Sequence, residues 1–409
     1  MKEEGLVMSA TAGPRTRFGV LSHVLPPAPT GQAMVLYRLL RDLPPEDYVL
    51  FSRQKYDGTA GSSTEPSASR KLPGRYVHLP RHPYFREWGP HALQRLLGMT
   101  NNSLRAMSQV RRLVRVAKQE RLSALIACTG DLADLPVGYA AARLAGIPFG
   151  IYLFDDYLYQ WSQPRHVWFA RRAEPVMVKG AKVVIAPNEY LRDAYVRRYG
   201  VEAAIVRNPC EAEIADASAT PWPAQEGEIR IVYTGAVYHA HYDAFRNLME
   251  ALKLLGDPRV KLHLYTFQPE ELLREQGITG PVVRHDHVPA GEALSVQRRA
   301  DILFLPLAFH SPVHETLRTA APGKMGEYLA SGRPILAHTP PDSFVTWYFR
   351  TNGCGAVVDR LDPAELAAAL RRILDDASAR AQWRERAQAR ARAEFLPHVA
   401  TEAFLRAIQ

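Results

Sequence analysis

The sequence predicts two α/β domains, each of the Rossmann-like type with a parallel sheet. Three observations support this expectation. The chain has 409 residues, which exceeds the usual size of one hydrophobic core. Short apolar runs typical of buried strands alternate with stretches that have a helical apolar period. That alternation breaks once, in the polar and proline-containing residues 211–228, and then begins again. We therefore expect a domain over 1–210, a linker over 211–228 and a domain over 229–394.

The first domain opens with a strand in RTRFGVLSH, a proline-rich turn with Gly31, and a helix in AMVLYRLLRDL. A strand, a glycine-containing loop and a helix form the opening unit of a doubly wound domain. A strand in YVLFS and a basic helix over 91–120 follow. The remaining units are the strands SALIACT, PFGIYLF and AKVVIAPN with helices in PVGYAAARLAG, over 164–180 and in EYLRDAYVRRYG.

The second domain repeats this rhythm from the strand IRIVYTG and the amphipathic helix DAFRNLMEALKLLG. Further strands are expected in VKLHLYT, PVVRHDHV, DILFLPL and RPILAHT, with two Ala/Arg-rich helices over most of 362–394. A final helix is expected over 395–409. Parallel sheets with right-handed crossovers in tandem predict a cleft between the domains, where small molecules usually bind.

Charge is distributed unevenly along the chain. The net charge is +9, and residues 1–210 carry 29 Lys and Arg against 17 Asp and Glu. This basic half indicates an anionic neighbour, such as a membrane surface or a phosphate-linked acceptor, or else an ordinary solvated basic surface. The sequence contains no recognisable nucleic-acid-binding motif, so we expect no nucleic acid partner.

Several classes of protein are excluded by composition. The three cysteines lie far apart and are odd in number, which argues against a disulfide framework, and no Cys or His partner stands at zinc-like spacing. No apolar run approaches the roughly 20 residues of a membrane span. The N-terminal stretch carries acids where a signal peptide has bases. We therefore expect a cytoplasmic protein without a metal site.

The most informative segment runs from Arg318 to Pro334, after the strand DILFLPL. Pro322 suits the first turn of a helix, and the backbone amides of Gly323, Lys324 and Met325 would then face an anion such as a diphosphate. Lys324 would stabilise a departing nucleoside diphosphate. Glu327, about one turn later, can accept both hydroxyls of a ribose. The alternative is a surface helix whose Lys and Glu are only solvated.

The run EYLASGRPIL after this Pro-x-Lys loop resembles the donor motif of family-four, GT-B-fold glycosyltransferases. The resemblance extends over most of the chain, through LSHVLPPAPTGQA, APNEYLRDAYVRRYG, VRNP and YTGAVYHAHYDAFRNLMEAL. It implies a GT-B fold with two Rossmann-like domains facing across a cleft. The N-terminal domain would bind a sugar, lipid-linked or small-molecule acceptor, and the C-terminal domain a nucleotide sugar.

The same resemblance implies that the final helix, in FLPHVATEAFLRAI, returns to the N-terminal domain. It also implies transfer with retention of configuration, without a metal or other cofactor, and with the nucleoside-diphosphate sugar as co-substrate. Cell-surface polysaccharide or other glycoconjugate biosynthesis is the expected setting. The protein would lie in the cytoplasm, at the inner face of the plasma membrane if it binds anionic lipid.

One position departs from the family. Its donor signature has two glutamates eight positions apart, and here Thr319 stands where the first is expected. How the donor sugar's hydroxyls are held is therefore open. The departure also fits a non-catalytic GT-B subunit that binds a nucleotide sugar or a partner protein. A further interpretation, which rests on the fold alone, is a sugar-nucleotide epimerase.

Further donor-site candidates lie at expected strand ends. Gly235 would let backbone approach a phosphate, with Tyr238, His239 and His241 beside it. Arg246 is a candidate for holding the diphosphate in the role of the family's basic residue. The remaining donor-site candidates are Tyr265 and Val288 for the nucleobase, and Gly31 in the N-terminal domain.

Asp155 and Asp156 follow the strand GIYLF, at the carboxyl end where α/β sites form. Paired acids could bind sugar hydroxyls or activate an acceptor hydroxyl. We therefore take both as candidate catalytic residues together with Lys324. The alternative for the two acids is a helix N-cap.

Overall fold

The computed structural model describes residues 17–56, 70–80, 85, 90–211, 214–215 and 222–409. The N-terminal stretch, in which the sequence predicts no signal peptide, lies outside these residues. The chain forms two parallel sheets, one of seven strands and one of six, with helices between the strands. Among the helices described, none is long and apolar enough to cross a bilayer.

The first sheet has the strand order β3-β2-β1-β4-β5-β6-β7, and each neighbouring pair is parallel. Its strands are β1 (Phe18–Leu21), β2 (Tyr48–Ser52), β3 (Arg75–His78), β4 (Ala124–Cys128), β5 (Phe149–Tyr152), β6 (Val183–Ala186) and β7 (Ala204–Ile205). Its helices are α1 (Gly31–Leu40), α2 (His91–Gln119), α3 (Asp134–Ala145), α4 (Pro164–Gly180) and α5 (Glu189–Tyr199).

The second sheet has the order β10-β9-β8-β11-β12-β13, again parallel throughout. Its strands are β8 (Ile229–Thr234), β9 (Val260–Tyr265), β10 (Val282–His285), β11 (Ile302–Pro306), β12 (Ile335–His338) and β13 (Ala356–Val358). The helices of this half are α6 (Tyr242–Leu255), α7 (Glu270–Glu275), α8 (Ala290–Arg298), α9 (His314–Arg318), α10 (Met325–Ala330), α11 (Phe344–Asn352), α12 (Pro363–Asp375) and α13 (Ala377–Arg390).

Local sequence chemistry explains these boundaries. The strands of the sheet centres are apolar along their whole length because helices cover both faces. Helix α5 begins where the Asn188 side chain accepts a hydrogen bond from the Leu191 amide at 2.9 Å, and it ends at Gly200 in the left-handed conformation. Both halves are thus doubly wound α/β domains, as the alternating pattern predicts.

The chain crosses between the domains a second time at its end. After α13, a π-helical turn over Ala391–Phe395 leads into α14 (Pro397–Ile408). Helix α14 packs on the first domain: the Phe404 ring lies 5.7 Å from that of Phe18, and the Thr401 hydroxyl donates to the Leu39 carbonyl at 3.0 Å. The Cys210 amide donates to the Phe395 carbonyl at 2.8 Å, so the two crossings lie side by side.

The carboxyl edges of the two sheets face each other. Asn188, which follows β6, donates from its side chain to the Thr319 carbonyl at 2.8 Å. Asn208 donates in the same way to the Ala321 carbonyl at 3.0 Å, and the Thr316 hydroxyl donates to the Tyr159 carbonyl at 3.3 Å. The loop after β11 therefore closes one side of a cleft between the domains.

Candidate active site

Lys324 and Gly235 meet at the carboxyl edge of the second sheet. The Lys324 ammonium lies 3.6 Å from the centre of the Tyr233 ring, an attractive cation–π geometry. Gly235 follows β8 with φ of 123°, and a Cβ atom there would stand 3.3 Å from the Lys324 Nζ. Both the positive φ and the close approach favour glycine at this position.

No carboxylate of the described residues lies within ion-pair distance of the Lys324 ammonium, and desolvation by the surrounding protein lowers its pKa to about 7. The nearby carboxylate of Glu327 opposes part of this shift. A desolvated cation without a counter-ion, beside a glycine turn, is a site for an anion.

Helix α10 begins later than the sequence predicts. Its first residue is Met325, and the Met325 amide donates to the Pro322 carbonyl at 2.9 Å. The expectation that the Met325 amide is free for a phosphate is therefore wrong in this structure, because the turn before the helix already uses it. The amides of Gly323 and Lys324 have no acceptor among the residues described here.

Glu327 joins the two domains. Its Oε1 accepts from the Arg38 guanidinium at 2.6 Å, and its Oε2 accepts from the Gln297 amide at 3.1 Å. Arg38 is almost fully buried and also donates to the Pro209 carbonyl at 2.9 Å. The carboxylate expected to hold a ribose therefore already has two protein partners, and each of its oxygens keeps one further lone pair.

Thr319 has its polar groups occupied by protein. It is buried, its hydroxyl donates to the Glu315 carbonyl at 3.2 Å, and its carbonyl accepts from Asn188. The hydroxyl thus donates at the end of the short helix α9, and the choice of Thr319 as a donor-binding residue stays a prediction.

The loop after β8 contributes two exposed side chains and one buried ring. Tyr238 is 44% exposed, and His239 is exposed next to it. His241 is buried, with its ring edge-on to Tyr238 at 4.6 Å. Burial and the positive charge of Lys324 lower the pKa of His241 to about 3, so this imidazole is neutral.

Arg246 contacts the end of helix α7. Its guanidinium donates to the Gln276 carbonyl at 3.3 Å, next to Gly277 at the end of α7. An arginine at a helix C-terminus satisfies a free carbonyl and the negative end of the helix dipole. This contact gives Arg246 a structural role, and its phosphate role stays a prediction.

The expected nucleobase region lies after β9 and β10. The Tyr265 ring stacks on the His285 ring with 4.3 Å between the ring centres. That face of the ring therefore packs against the sheet and does not stack on a nucleobase. Val288 is half-buried in the loop before α8. The exposed aromatic ring here is that of Phe267, 62% exposed and 5.9 Å from His287. Sequence reasoning missed Phe267, although an aromatic residue just beyond a strand's carboxyl end was a usable signal.

Asp155 and Asp156 have different surroundings. Asp156 is buried, pairs with the Arg198 guanidinium and accepts from the Leu158 amide at 3.1 Å. These bonds hold Asp156 in the turn after β5, and its catalytic role stays a prediction.

Asp155 is exposed to the cleft, with no side-chain partner among the described residues. Desolvation by neighbouring protein atoms, and then the charge of Asp156, raise the pKa of Asp155. Asp155 also contributes to the raised pKa of Tyr238, although burial is the larger cause there. These two side chains therefore lie on opposite sides of the cleft and near each other.

Gly31 begins α1, is exposed, and has open space where a Cβ would stand. A glycine that combines a close neighbour with a positive φ is Gly130, after β4. Gly130 has φ of 109°, and a Cβ there would lie 2.5 Å from the Gln32 Oε1 atom and 2.6 Å from the His23 ring. Sequence reasoning missed Gly130, because no motif distinguishes it.

Comparison with known families identifies the family to which this two-domain chain belongs. Residues 30–210 match the model of the glycosyl transferase 4-like domain, and residues 228–376 match that of glycosyl transferases group 1. The chain is a GT-B glycosyltransferase of the family-4-like type. No curated protein sequence matches it significantly.

Solved glycosyltransferase structures share the fold of this chain at low sequence identity. HepE of Anabaena, solved in complex with UDP and glucose, aligns with a TM-score of 0.65 at 15% identity, over 96% of this chain and 99% of that one. Sucrose-phosphate synthase of Thermosynechococcus elongatus gives 0.63 at 16%, over 96% and 98%. Trehalose 6-phosphate synthase of Burkholderia multivorans gives 0.62 at 15%, over 96% of both chains.

The glycosyltransferase has a buried polar network behind Asp155 that sequence reasoning missed. Glu174 of α4 is fully buried and accepts from the hydroxyls of Tyr195 and Tyr199. Desolvation raises the pKa of Glu174 to about 7. Arg198 lies between Glu174 and Asp156 and pairs with both. This network fixes the turn that presents Asp155 to the cleft.

Proposed function

We propose that this glycosyltransferase transfers a sugar from a nucleoside-diphosphate sugar to a hydroxyl of a glycan or lipid-linked acceptor, in the synthesis of a cell-surface polysaccharide or other glycoconjugate. The observation that carries the assignment of the donor site is the Lys324 ammonium beside Gly235, which has no ion-pair partner among the residues the structure describes. HepE, which shares the fold, was solved with UDP and with UDP-glucose. Uridine diphosphate is therefore the first nucleotide to test.

Lys324 supplies the charge that the leaving diphosphate needs. As the glycosidic bond to the diphosphate breaks, negative charge builds on the phosphate oxygen, and an ammonium held in a desolvated site stabilises it strongly. This local cation supports a mechanism in which the diphosphate is neutralised without a metal ion or other cofactor. The departing phosphate then takes the proton of the acceptor hydroxyl, with retention of configuration at the sugar.

Asp155 is the group we assign to the reacting hydroxyls on the opposite side of the cleft. Its carboxylate is exposed, has no described partner and faces Tyr238. A carboxylate accepts hydrogen bonds from two sugar hydroxyls at once, which orients a sugar more strictly than a single neutral acceptor does.

Glu327 is proposed to hold the ribose with the lone pairs that Arg38 and Gln297 leave free. Its bond to Arg38 would then tie ribose binding to the contact between the domains. Glu327→Gln should therefore weaken a nucleoside diphosphate more than its 2′-deoxy counterpart. Equal weakening of both ligands would refute the contact with the ribose.

A membrane-proximal acceptor fits the basic first half of the chain, and we propose that the enzyme works in the cytoplasm at an anionic membrane surface. The rival function is a GT-B subunit that binds a nucleotide sugar without turnover. Thr319 stands where the resemblance implies an acid, and this favours that rival because a neutral hydroxyl accepts the donor sugar's hydroxyls more weakly than a carboxylate does.

The test is a thermal-unfolding screen with uridine, guanosine, adenosine and thymidine diphosphates and their sugars, followed by assay of donor hydrolysis or transfer. A ligand at about 100 times its dissociation constant should stabilise the fold by about 2.7 kcal/mol. A base-selective shift together with turnover is the expected result. A shift without turnover supports the non-catalytic subunit, and no shift from any nucleotide contradicts the donor site itself.

A further inference from the structure

Helix α2 presents an apolar stripe to solvent instead of to the core. It has 29 residues, and those buried in the core lie mainly in its second half, among them Leu113, Val116 and Ala117. The outer surface carries four exposed apolar side chains, three in the first half and one just past the middle. These are Leu93 at 36%, Leu96 at 61%, Met99 at 68% and Met107 at 47% exposed.

The same helix is strongly basic. Its sequence contains no Asp or Glu, and its cations are Arg95, Arg105, Arg111, Arg112, Arg115 and Lys118. Arg111, Arg112 and Arg115 line a groove of about 270 Å³ together with Leu104, Met107 and Pro80. None of these three arginines pairs with an acid among the described residues, and all three are exposed. Three guanidinium groups beside apolar side chains match a phosphate attached to a hydrocarbon.

The position of the helix relates this surface to the cleft. Helix α2 follows β3 and precedes β4, so it begins at the carboxyl edge of the sheet. At 1.5 Å per residue it is about 43 Å long, while strands of four or five residues span roughly 17 Å. The apolar first half therefore projects beyond the carboxyl edge, the edge at which Asp155 lies.

We propose that the exposed face of α2 docks the enzyme on an anionic lipid bilayer, with the four apolar side chains in the interface and the arginine groove on lipid phosphates. A second copy of the chain fits this face poorly, because two such helices would oppose cations with cations. Nucleic acid would leave the apolar stripe uncovered. The biological purpose rests on the proposed function, since docking places the acceptor-binding cleft next to lipid-linked acceptors.

Vesicle co-sedimentation of the full chain tests the charged part of the surface. Vesicles of phosphatidylcholine alone are compared with vesicles that also contain phosphatidylglycerol. The variant R111Q/R112Q/R115Q should bind the anionic vesicles roughly a hundredfold more weakly, at about 1 kcal/mol per arginine near the surface. The control R360Q/R371Q/R386Q removes the same charge from exposed arginines of the second domain and should bind normally.

The apolar part is tested with L96Q/M99Q against the control L144Q/L254Q, whose leucines are similarly exposed on α3 and α6. The α2 variant should bind anionic vesicles more weakly at high salt, where screening leaves the apolar contribution dominant. All four variants should unfold at the wild-type temperature, because the changed side chains are solvent-exposed.

Three results would overturn the proposal: equal binding by each variant and its control, no preference for anionic vesicles, or tighter binding to an RNA oligonucleotide than to vesicles. Nucleoside-diphosphate binding in solution, without vesicles, separates this proposal from the donor site. Normal nucleotide binding with no vesicle binding refutes docking alone, while vesicle binding with no nucleotide binding refutes the donor site alone.

Discussion

The carboxyl edges of the two sheets have the same strand arrangement and opposite chemistry. In each domain the first strand of the chain lies at the centre and the next two lie on one side. The second domain's edge holds Lys324, a cation that no carboxylate in the described part of the chain reaches at ion-pair distance. The first domain's edge holds the carboxylate of Asp155, supported from behind by Arg198 and Glu174.

This difference shows how one architecture supports two tasks. The shared strand order places loops at the same height, but side chains in those loops determine what each edge binds. The cationic edge suits a diphosphate, and the anionic edge suits hydroxyls of a sugar. Substitutions that change one edge and leave the other intact can therefore separate donor from acceptor chemistry.

The largest effect is expected from Lys324→Met, which keeps the length of the side chain and removes its charge. Loss of charge stabilisation of the leaving group should lower kcat by about 10²–10³-fold. The melting temperature should stay equal or rise, because a desolvated cation is removed. Steady-state kinetics and thermal unfolding measure the two effects.

Lys253→Met is the matched control, since Lys253 is an exposed lysine of the same domain. It should leave both quantities unchanged. A Lys324→Met enzyme with wild-type kcat would show that the cationic edge does not act on the leaving group.

The two neighbouring acids should respond in opposite ways to Asp→Asn substitution. Asp155→Asn removes a carboxylate that has no described protein partner, so kcat/KM should fall by roughly tenfold to a hundredfold with little change in stability. Asp156→Asn breaks the ion pair with Arg198 and should cost about 2 kcal/mol of unfolding free energy. Denaturant unfolding and kinetics on both variants measure this. Similar stability losses in the two would contradict the division of roles.

The smallest effect is proton uptake when a nucleoside diphosphate binds. Desolvation lowers the pKa of free Lys324 to about 7, and a bound diphosphate should raise it again. Binding should therefore take up about half a proton at pH 7 and close to one near pH 8. Calorimetry in buffers of different ionisation enthalpy measures the number of protons taken up per ligand bound. The Lys324→Met substitution should abolish this uptake.

The lowered pKa of Lys324 also determines how the stability of the fold changes with pH. Its pKa is lower in the folded state than in the unfolded state, so the unfolded chain binds more protons above pH 7. Lys324 therefore makes the fold more stable as pH rises from about 7 towards 10.5. The free energy of unfolding should be measured over this pH range for the wild type and for Lys324→Met. If it rises no more in the wild type than in the variant, the lowered pKa is contradicted.

The architecture could be predicted from sequence because its long helices and central strands carry clear periods. Helix α4 was expected over 164–180 and spans Pro164–Gly180. Strand β3 was not expected, because it has four residues with one fully buried among them. Helix α11 was not expected either, since aromatic and polar residues follow each other there without a helical period.

The site was harder to predict because its partners are distant in sequence. Lys324 and Gly235 could each be chosen as residues near a strand's carboxyl end, which is a local property. The bond between Arg38 and Glu327 joins residues 289 positions apart and depends on how the domains pack. Without it, Glu327 looks like a free carboxylate. In the sequence Asp156 and Asp155 look equivalent, and only the fold brings Arg198, 42 positions later, next to Asp156.

The side-by-side crossings near Cys210 and Phe395 have a mechanical consequence. Two domains joined by one flexible strand can swing in any direction, but two joined segments that are hydrogen-bonded to each other act as a single pivot. Rotation of one domain against the other must then turn about this pivot, while α14 stays attached to the first domain. We expect any change in the separation of Lys324 and Asp155 to follow rotation about this pivot.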